Sequence, residues 1–168
     1  EVLRLPWPGR DPFVEGGDRP FPDDRGLPEE LTVGHWFRRN SVDVHPNAGK
    51  AFNALSNKFK VIPEGDVKRK SFKRIHRWRY SPTAAYGNNE VHLHPWEARR
   101  LSVAEALAIQ SLPAEYELPE SMTLSTCFKT IGNGVPYLAA RGLAETVKSH
   151  LAAEEAAKLG DCDVVALA

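Results

Sequence analysis

The run Ile131-Gly-Asn-Gly-Val-Pro136 holds groups suited to presenting chemistry through the backbone: glycines without a Cβ, a carboxamide that both donates and accepts, and a proline that sets the following turn. Such a run lets the chain turn sharply, offers Asn133 as a helix cap, and places Pro136 in a first helical turn where its missing N–H costs nothing. Taken alone, it reads first as a well-capped helix start. Classical nucleophiles and ligands are few. Cys127 and Cys162 have no spacing that suggests a disulfide framework or a zinc site, and a bare thiol is a poor nucleophile until its surroundings lower its pKa. His92 and His94 alternate as a strand would present two ligands, yet a metal site needs further groups that the sequence does not place, so no metal is expected.

A second constellation precedes the first. In Arg100-Leu-Ser-Val-Ala-Glu-Ala-Leu-Ala-Ile-Gln-Ser-Leu-Pro113, Ser102 and Glu105 stand at capping-box spacing, Val103, Ala106, Leu107 and Gln110 share a helical face, and Pro113 supplies a stop. The spacing predicts a helix beginning after Ser102.

The formal net charge is zero, but the charges are segregated. Between Lys58 and Tyr80 there are nine basic residues (Lys58, Lys60, Lys68, Arg69, Lys70, Lys73, Arg74, Arg77, Arg79) against Glu64 and Asp66, whereas the first thirty residues carry eight acidic against four basic. A local positive surplus beside an acidic arm is the footprint of a face that meets phosphates, and also of an ordinary solvated face.

The elements that must position these groups follow from periodicity and breakers. Residues 1–30, with six prolines and four glycines, read as an extended arm or linker. Residues 31–40 suggest a short helix with Trp36 and Phe37 buried, and 46–57 a second one through Ala48, Ala51, Phe52 and Leu55. From Phe59 to Val91 the pattern predicts short strands broken at Pro63-Glu-Gly65, Ser81-Pro82 and Gly87-Asn-Asn89. An acidic connector, Ala114 to Ser125, leads to the Gly-Asn loop and a last helix from Pro136 to about Leu159, with Leu143, Val147 and Leu151 forming an apolar stripe. Trp78 and Tyr80 either fill a small core or stack on bases. No apolar run approaches the length of a membrane span.

Arg100, Leu101, Glu105, Gln110 and Pro113, followed by Ile131, Gly132, Asn133, Val135 and Pro136, resemble the last two signature blocks of the DNA cytosine-5 methyltransferases. Upstream, Lys58-Phe-Lys-Val-Ile-Pro-Glu-Gly65, Trp78-Arg-Tyr-Ser-Pro-Thr-Ala84 and His92-Leu-His-Pro95 resemble the run between the target-recognition region and those blocks. The resemblance covers roughly residues 55–147. Two positions that are often basic in the family are Ala104 and Ala108 here.

The resemblance implies a division of labour. The family's nucleophile is the cysteine of a Pro-Cys dipeptide, but Cys127 follows Thr126 and Cys162 follows Asp161; the Glu-Asn-Val block and the Gly-rich cofactor turn do not occur either. This chain is therefore expected to hold no catalytic residue and to be the C-terminal part of such an enzyme, an expectation to which the opening Glu1, in place of Met, adds. By resemblance Asn133, Gly134 and Val135 edge an S-adenosylmethionine pocket, while Arg100, Glu105, Gln110, Gly132 and Pro136 are motif residues of structural role. Lys68, Arg69, Lys70, Lys73, Arg74, Arg77 and Thr83 are the candidate contacts to double-stranded DNA, although a Ser-Pro turn explains Thr83 as well.

The expected fold class is α+β: a mixed recognition domain of short strands and loops, then helices that pack back on a Rossmann-like methyltransferase domain outside this chain. The expected boundaries are an arm at 1–30, the recognition region at 31–98, the terminal blocks at 99–160 and a tail at 161–168. The implied partners are duplex DNA and the N-terminal catalytic domain or subunit, in a cytoplasmic, bacterial or phage restriction-modification setting. The competing expectation is a non-catalytic remnant that binds DNA or a protein partner.

Overall fold

The computed structural model describes residues 2–17, 19–23, 26–53, 55–86 and 90–165, with side chains as far as 155. The Gly87-Asn-Asn89 turn, the Cys162 side chain and the last three residues lie outside the described set. Two compact units divide the chain, Glu1–Gly134 and Val135–Ala168.

In the first unit, helix α1 (Val33–Arg39) starts where Thr32 accepts a hydrogen bond from the His35 N–H, and it buries Val33, Gly34 and Phe37. Its Trp36 is half-buried. A single turn, α2 (Lys58–Val61), buries Phe59. Helix α3 (Val103–Ile109) begins at the capping box that its sequence announces: Ser102 accepts from the Glu105 N–H, and the Glu105 carboxylate accepts from the Ser102 N–H. The face named from the sequence is buried, but so are Ala104, Glu105 and Ala108, so the helix is enclosed on nearly all sides. Helix α4 (Leu124–Asn133), capped by Thr123, contributes Cys127, Phe128 and Ile131 to the same core.

Three expectations are corrected. The stretch from Phe59 to Val91 forms almost no strand; among the described residues the pairings are isolated bridges, Asp11 with Glu64, Ala51 with Ser102, and Leu93 with both Arg74 and Arg100. The mixed α+β class therefore reduces to helices joined by ordered loops. Its physical cause is visible at Arg74. That buried guanidinium donates to the carbonyls of Phe59, Ile62, His94 and Glu97, so side chains satisfy backbone acceptors that a ladder would otherwise take.

Among the described residues of 46–57 there is no regular helix: 46–49 form turns, and the chain beyond them is irregular apart from the bridge at Ala51. Asn47 is pulled out of any helical path because its carboxamide grips the connector: Nδ2 donates to the Leu118 carbonyl at 3.0 Å and Oδ1 accepts from the Leu118 N–H at 2.8 Å. Leu55, expected on the buried stripe, is 92% exposed.

The third correction concerns Ile131-Gly-Asn133, which is the last turn of α4 and not a loop. Asn133 is thus a helix C-terminal residue, and the turn follows it at Gly134.

The N-terminal arm is tied down. Asp11 and Glu64 exchange both backbone hydrogen bonds, at 3.0 and 2.8 Å, and the Phe21 ring meets Trp78 edge-on. The second unit is helix α5 (Tyr137–Val165), whose first bond runs from the Ala140 N–H to the Pro136 carbonyl. Leu143, Val147 and Leu151 share one face of it, as their spacing requires. Among the described residues no helix is long and apolar enough to cross a membrane.

Candidate nucleic-acid and cofactor interface

Glu105 is the hub of the first signature block. Besides the capping bond at 2.8 Å, its oxygens accept from Arg99 Nη1 at 2.9 Å and Nη2 at 2.6 Å, and the His94 Nε2 lies 3.5 Å away. Burial opposes the charge on Arg99, but the Glu105 and Glu97 carboxylates outweigh it and hold the guanidinium above its ordinary pKa. His94 is pushed well below its ordinary value, first by burial and then by Arg99, Arg74 and Arg77. A neutral ring fits its bonding, since Nδ1 accepts from the Trp96 and Glu97 N–H groups. Arg99 escaped the sequence reading, and the signal available was its place three residues before the Ser102 cap.

The second block is attached to the first through Gln110, whose Nε2 donates to the Ile131 carbonyl at 3.0 Å. This buried bond fixes the end of α4 and so the exposed Asn133 and Gly134 that follow. Gly132 packs against Ala84 and Tyr86. Arg100 spreads its guanidinium over the rings of Phe52 and Phe72, 5.6 and 5.7 Å from their centroids. Val135 and Pro136 belong to the second unit, where Pro136 opens α5.

The basic run separates into two kinds of residue. Lys68, Arg69 and Lys70 are exposed and Lys73 is half-buried, with Arg69 Nε donating to Asp66 at 2.7 Å. Thr83 is exposed, and its carbonyl accepts from the Ala85 N–H. Arg74 and Arg77, counted with the phosphate contacts from sequence, turn inward and are withdrawn from that set. Arg74 is 0% exposed, and desolvation lowers its pKa to about 10. Arg77 forms a two-pronged pair with the buried Glu64, Nε to Oε1 at 2.9 Å and Nη2 to Oε2 at 3.1 Å, while its own N–H donates to the same carboxylate. Nearby, His76 bridges Asp11 and Glu64, its ring held below its ordinary pKa by burial.

Trp78 is buried beneath the Arg38 guanidinium, so of its two readings the core one describes it; Tyr80 is 37% exposed and meets Trp7 edge-on. His92 lies beside the Tyr86 hydroxyl, Nδ1 to Oη 3.5 Å, and burial with the nearby Lys73 charge lowers its pKa to about 4. Cys127 is fully buried in the core with its Sγ near the Met122 carbonyl, which removes it from nucleophilic chemistry.

One frame therefore carries two exposed features, the lysine-rich Lys68–Lys73 segment with Thr83 further along, and the Asn133-Gly134 corner, the second of them fixed by α3 and α4. The sequence profile of the C-5 cytosine-specific DNA methylases matches residues 31–149, most of this frame. The chain belongs to that family.

Among curated relatives, the type II methyltransferase M.NmeDI of Neisseria meningitidis serogroup C is 62% identical over 153 residues, 90% of this chain and 36% of that protein. The putative type II methyltransferase M.OihORF3336P of Oceanobacillus iheyensis is 45% identical over 60 residues, 36% of this chain and 13% of that protein. Type II methyltransferase M.AquIB of Picosynechococcus sp. is 29% identical over 90 residues, 48% of this chain and 65% of that protein. The chain thus spans about a third of the first relative's length. No solved structure matches it.

Within this methylase family the two departures at Ala104 and Ala108 acquire a physical reading. Both side chains sit inside the core, where an arginine would not fit without rearrangement, and the acid of the motif finds its cation in Arg99.

Proposed function

We propose that this chain is the target-recognition and cofactor-edge portion of a DNA (cytosine-5) methyltransferase, working with a catalytic portion that supplies the cysteine, the base-holding block and the main cofactor turn. The observation that carries the reading is the single α3–α4 frame, in which both signature blocks lock together through the Gln110 bond to Ile131 and leave Asn133 and Gly134 exposed beyond it. Duplex DNA is met through the phosphate charge by Lys68, Arg69, Lys70 and Lys73, with Thr83 adding a short hydroxyl at the backbone. Base flipping belongs to the assembled enzyme, because the reacting ring carbon is inaccessible in the stack.

S-adenosylmethionine supplies the methyl group when bound. The residues present fit one edge of its site: Asn133 offers an uncharged donor and acceptor, and Gly134 lets the backbone approach, since a Cβ there would meet only the Ile131 and Thr130 carbonyls, at 3.3 and 3.6 Å. This chain's part is to orient that edge; the buried Cys127 takes no part.

The test is transfer of labelled methyl from S-adenosylmethionine to DNA. The chain alone is expected to transfer none, and addition of the catalytic portion is expected to restore transfer. Incorporation by the purified chain alone would overturn the assignment of roles, and a reconstituted pair that binds neither DNA nor cofactor would favour a remnant without methylation activity.

A further inference from the structure

Phe72 adopts a backbone conformation that non-glycine residues rarely take, with φ at +57°. Its ring lies where three other parts of the chain meet. It stands edge-on to the buried Phe59 of α2 at 5.7 Å, and the Arg100 guanidinium spans it and Phe52. Between these side chains and Leu55 lies a groove of about 440 Å³. Leu55 lines it while remaining 92% exposed.

An exposed leucine is ordinary in itself. The surroundings of this one are not, because both segments that wall the groove carry cations. Helix α2 brings Lys58, whose Nζ lies 5.7 Å from the Phe72 ring centroid, and the exposed Lys60. Lys68, Lys70 and Lys73 belong to the segment that carries Phe72 itself. The contact between Phe59 and Phe72 thus joins two lysine-bearing segments around an apolar slot.

A partner for such a slot must be apolar where it enters and anionic around it. Duplex DNA meets both conditions at one point: among the base edges of the major groove only thymine's carries an apolar group, its C5 methyl, and the phosphates run along either side. Asn53 and Ser56 complete the lining of the groove. The thymine edge beside its methyl is a single acceptor, O4, which a carboxamide or a hydroxyl can satisfy.

We propose that this groove takes the C5 methyl group of a thymine in the target DNA, with Leu55 as the specificity-determining contact and the lysines of the two segments on the neighbouring phosphates. The inference rests on the functional reading above and adds to it the base that one part of the recognition region selects.

The experiment uses the complete methyltransferase containing this chain and genomic duplex DNA amplified with either deoxythymidine or deoxyuridine triphosphate. Amplified DNA carries no 5-methylcytosine, so its only pyrimidine methyls are those of thymine, and deoxyuridine removes them while keeping every pairing group. The quantity measured on each DNA is kcat/KM for methyl transfer from S-adenosylmethionine. The parent is expected to prefer the thymine-containing DNA by about fourfold, the worth of one buried methyl. Leu55→Ala is expected to bring that ratio to within about 1.5-fold of one, and Leu55→Met, which keeps an apolar side chain of similar reach, to retain it. Leu55 holds little buried surface, so both variants are expected to melt like the parent, and a lost ratio then reports the contact. A ratio of one in the parent, or the parent's ratio in Leu55→Ala, overturns the inference and leaves the functional reading standing. Absence of transfer to either DNA by the parent overturns that reading, and the inference with it.

Discussion

Arg74 tests whether the basic run is one surface or two populations. If it were a phosphate contact, Arg74→Lys would keep its charge and most of its effect; if it is the clamp described here, lysine cannot replace a fork that reaches the carbonyls of Phe59, Ile62, His94 and Glu97 at once. Each buried acceptor left without a donor costs about 1–3 kcal/mol, and a lysine recovers at most one or two of the four bonds. Water entry recovers part of the remainder, so the expected loss is about 3 kcal/mol for Arg74→Lys and about 4 kcal/mol for Arg74→Ala. For a unit of this size that corresponds to a fall in Tm of roughly 10–15 °C.

The complementary variant replaces Lys68, Lys70 and Lys73 together by glutamine, leaving the melt within about 2 °C because these side chains hold nothing buried. Fluorescence titration of duplex DNA at several salt concentrations should then give a log–log slope shallower by about 3. The reasoning is refuted if Arg74→Lys melts like the parent, or if the triple lysine variant keeps the parent's salt slope.

Three further outcomes are expected. Stability should fall as the pH drops from about 6.5 towards 4, because His92, with a folded pKa lowered to about 4, stays neutral where the unfolded chain binds a proton; the contribution, complete above the ordinary histidine value, is worth about 3 kcal/mol, and His92→Gln should flatten the denaturation profile across that window. Glu105→Gln should cost about 2–3 kcal/mol by leaving Arg99 with Glu97 as its one carboxylate partner while keeping an acceptor for the Ser102 N–H, read as a shift in urea midpoint at unchanged slope. Asn133→Asp places a negative charge at the C-terminus of α4, which costs about 0.5 kcal/mol of stability, and should weaken cofactor binding in the complete enzyme roughly tenfold; a lowered melt with unaltered affinity would make Asn133 structural.

What was legible in the sequence was local. Ser102 and Glu105 announce their capping box because the bonds close within one turn, and the period of 3.6 gives the helix itself, although not that Ala104 and Ala108 on its other sides are buried too. The strands between Phe59 and Val91 failed for the opposite reason. Alternation and breakers report which residues are apolar but not who satisfies the backbone, and here the side chains of Arg74, Glu64 and Asn47 do so across gaps of 12 to 71 residues. Charge counting erred at Arg74 and Arg77, which are buried. A guanidinium that meets phosphate and one that turns inward are the same letter: Arg74 is held by four carbonyls and Arg77 by Glu64, thirteen residues away.

The same long-range bonds explain why the exposed features keep their places. The connector between α3 and α4 has no regular structure, yet it is gripped from one loop: Asn40 donates to the Leu112 carbonyl at 2.9 Å, Asn47 holds Leu118 from both sides, and Lys50 Nζ donates to the carbonyls of Pro119 and Glu120 at 2.8 and 2.9 Å. An unconstrained connector would let α4 slide on α3 and carry Asn133 with it. With its carbonyls fixed, the end of α4 is held to α3 by the Gln110 bond and to the recognition segment by the Gly132 contact with Ala84 and Tyr86, and the Asn133 corner keeps its place with it.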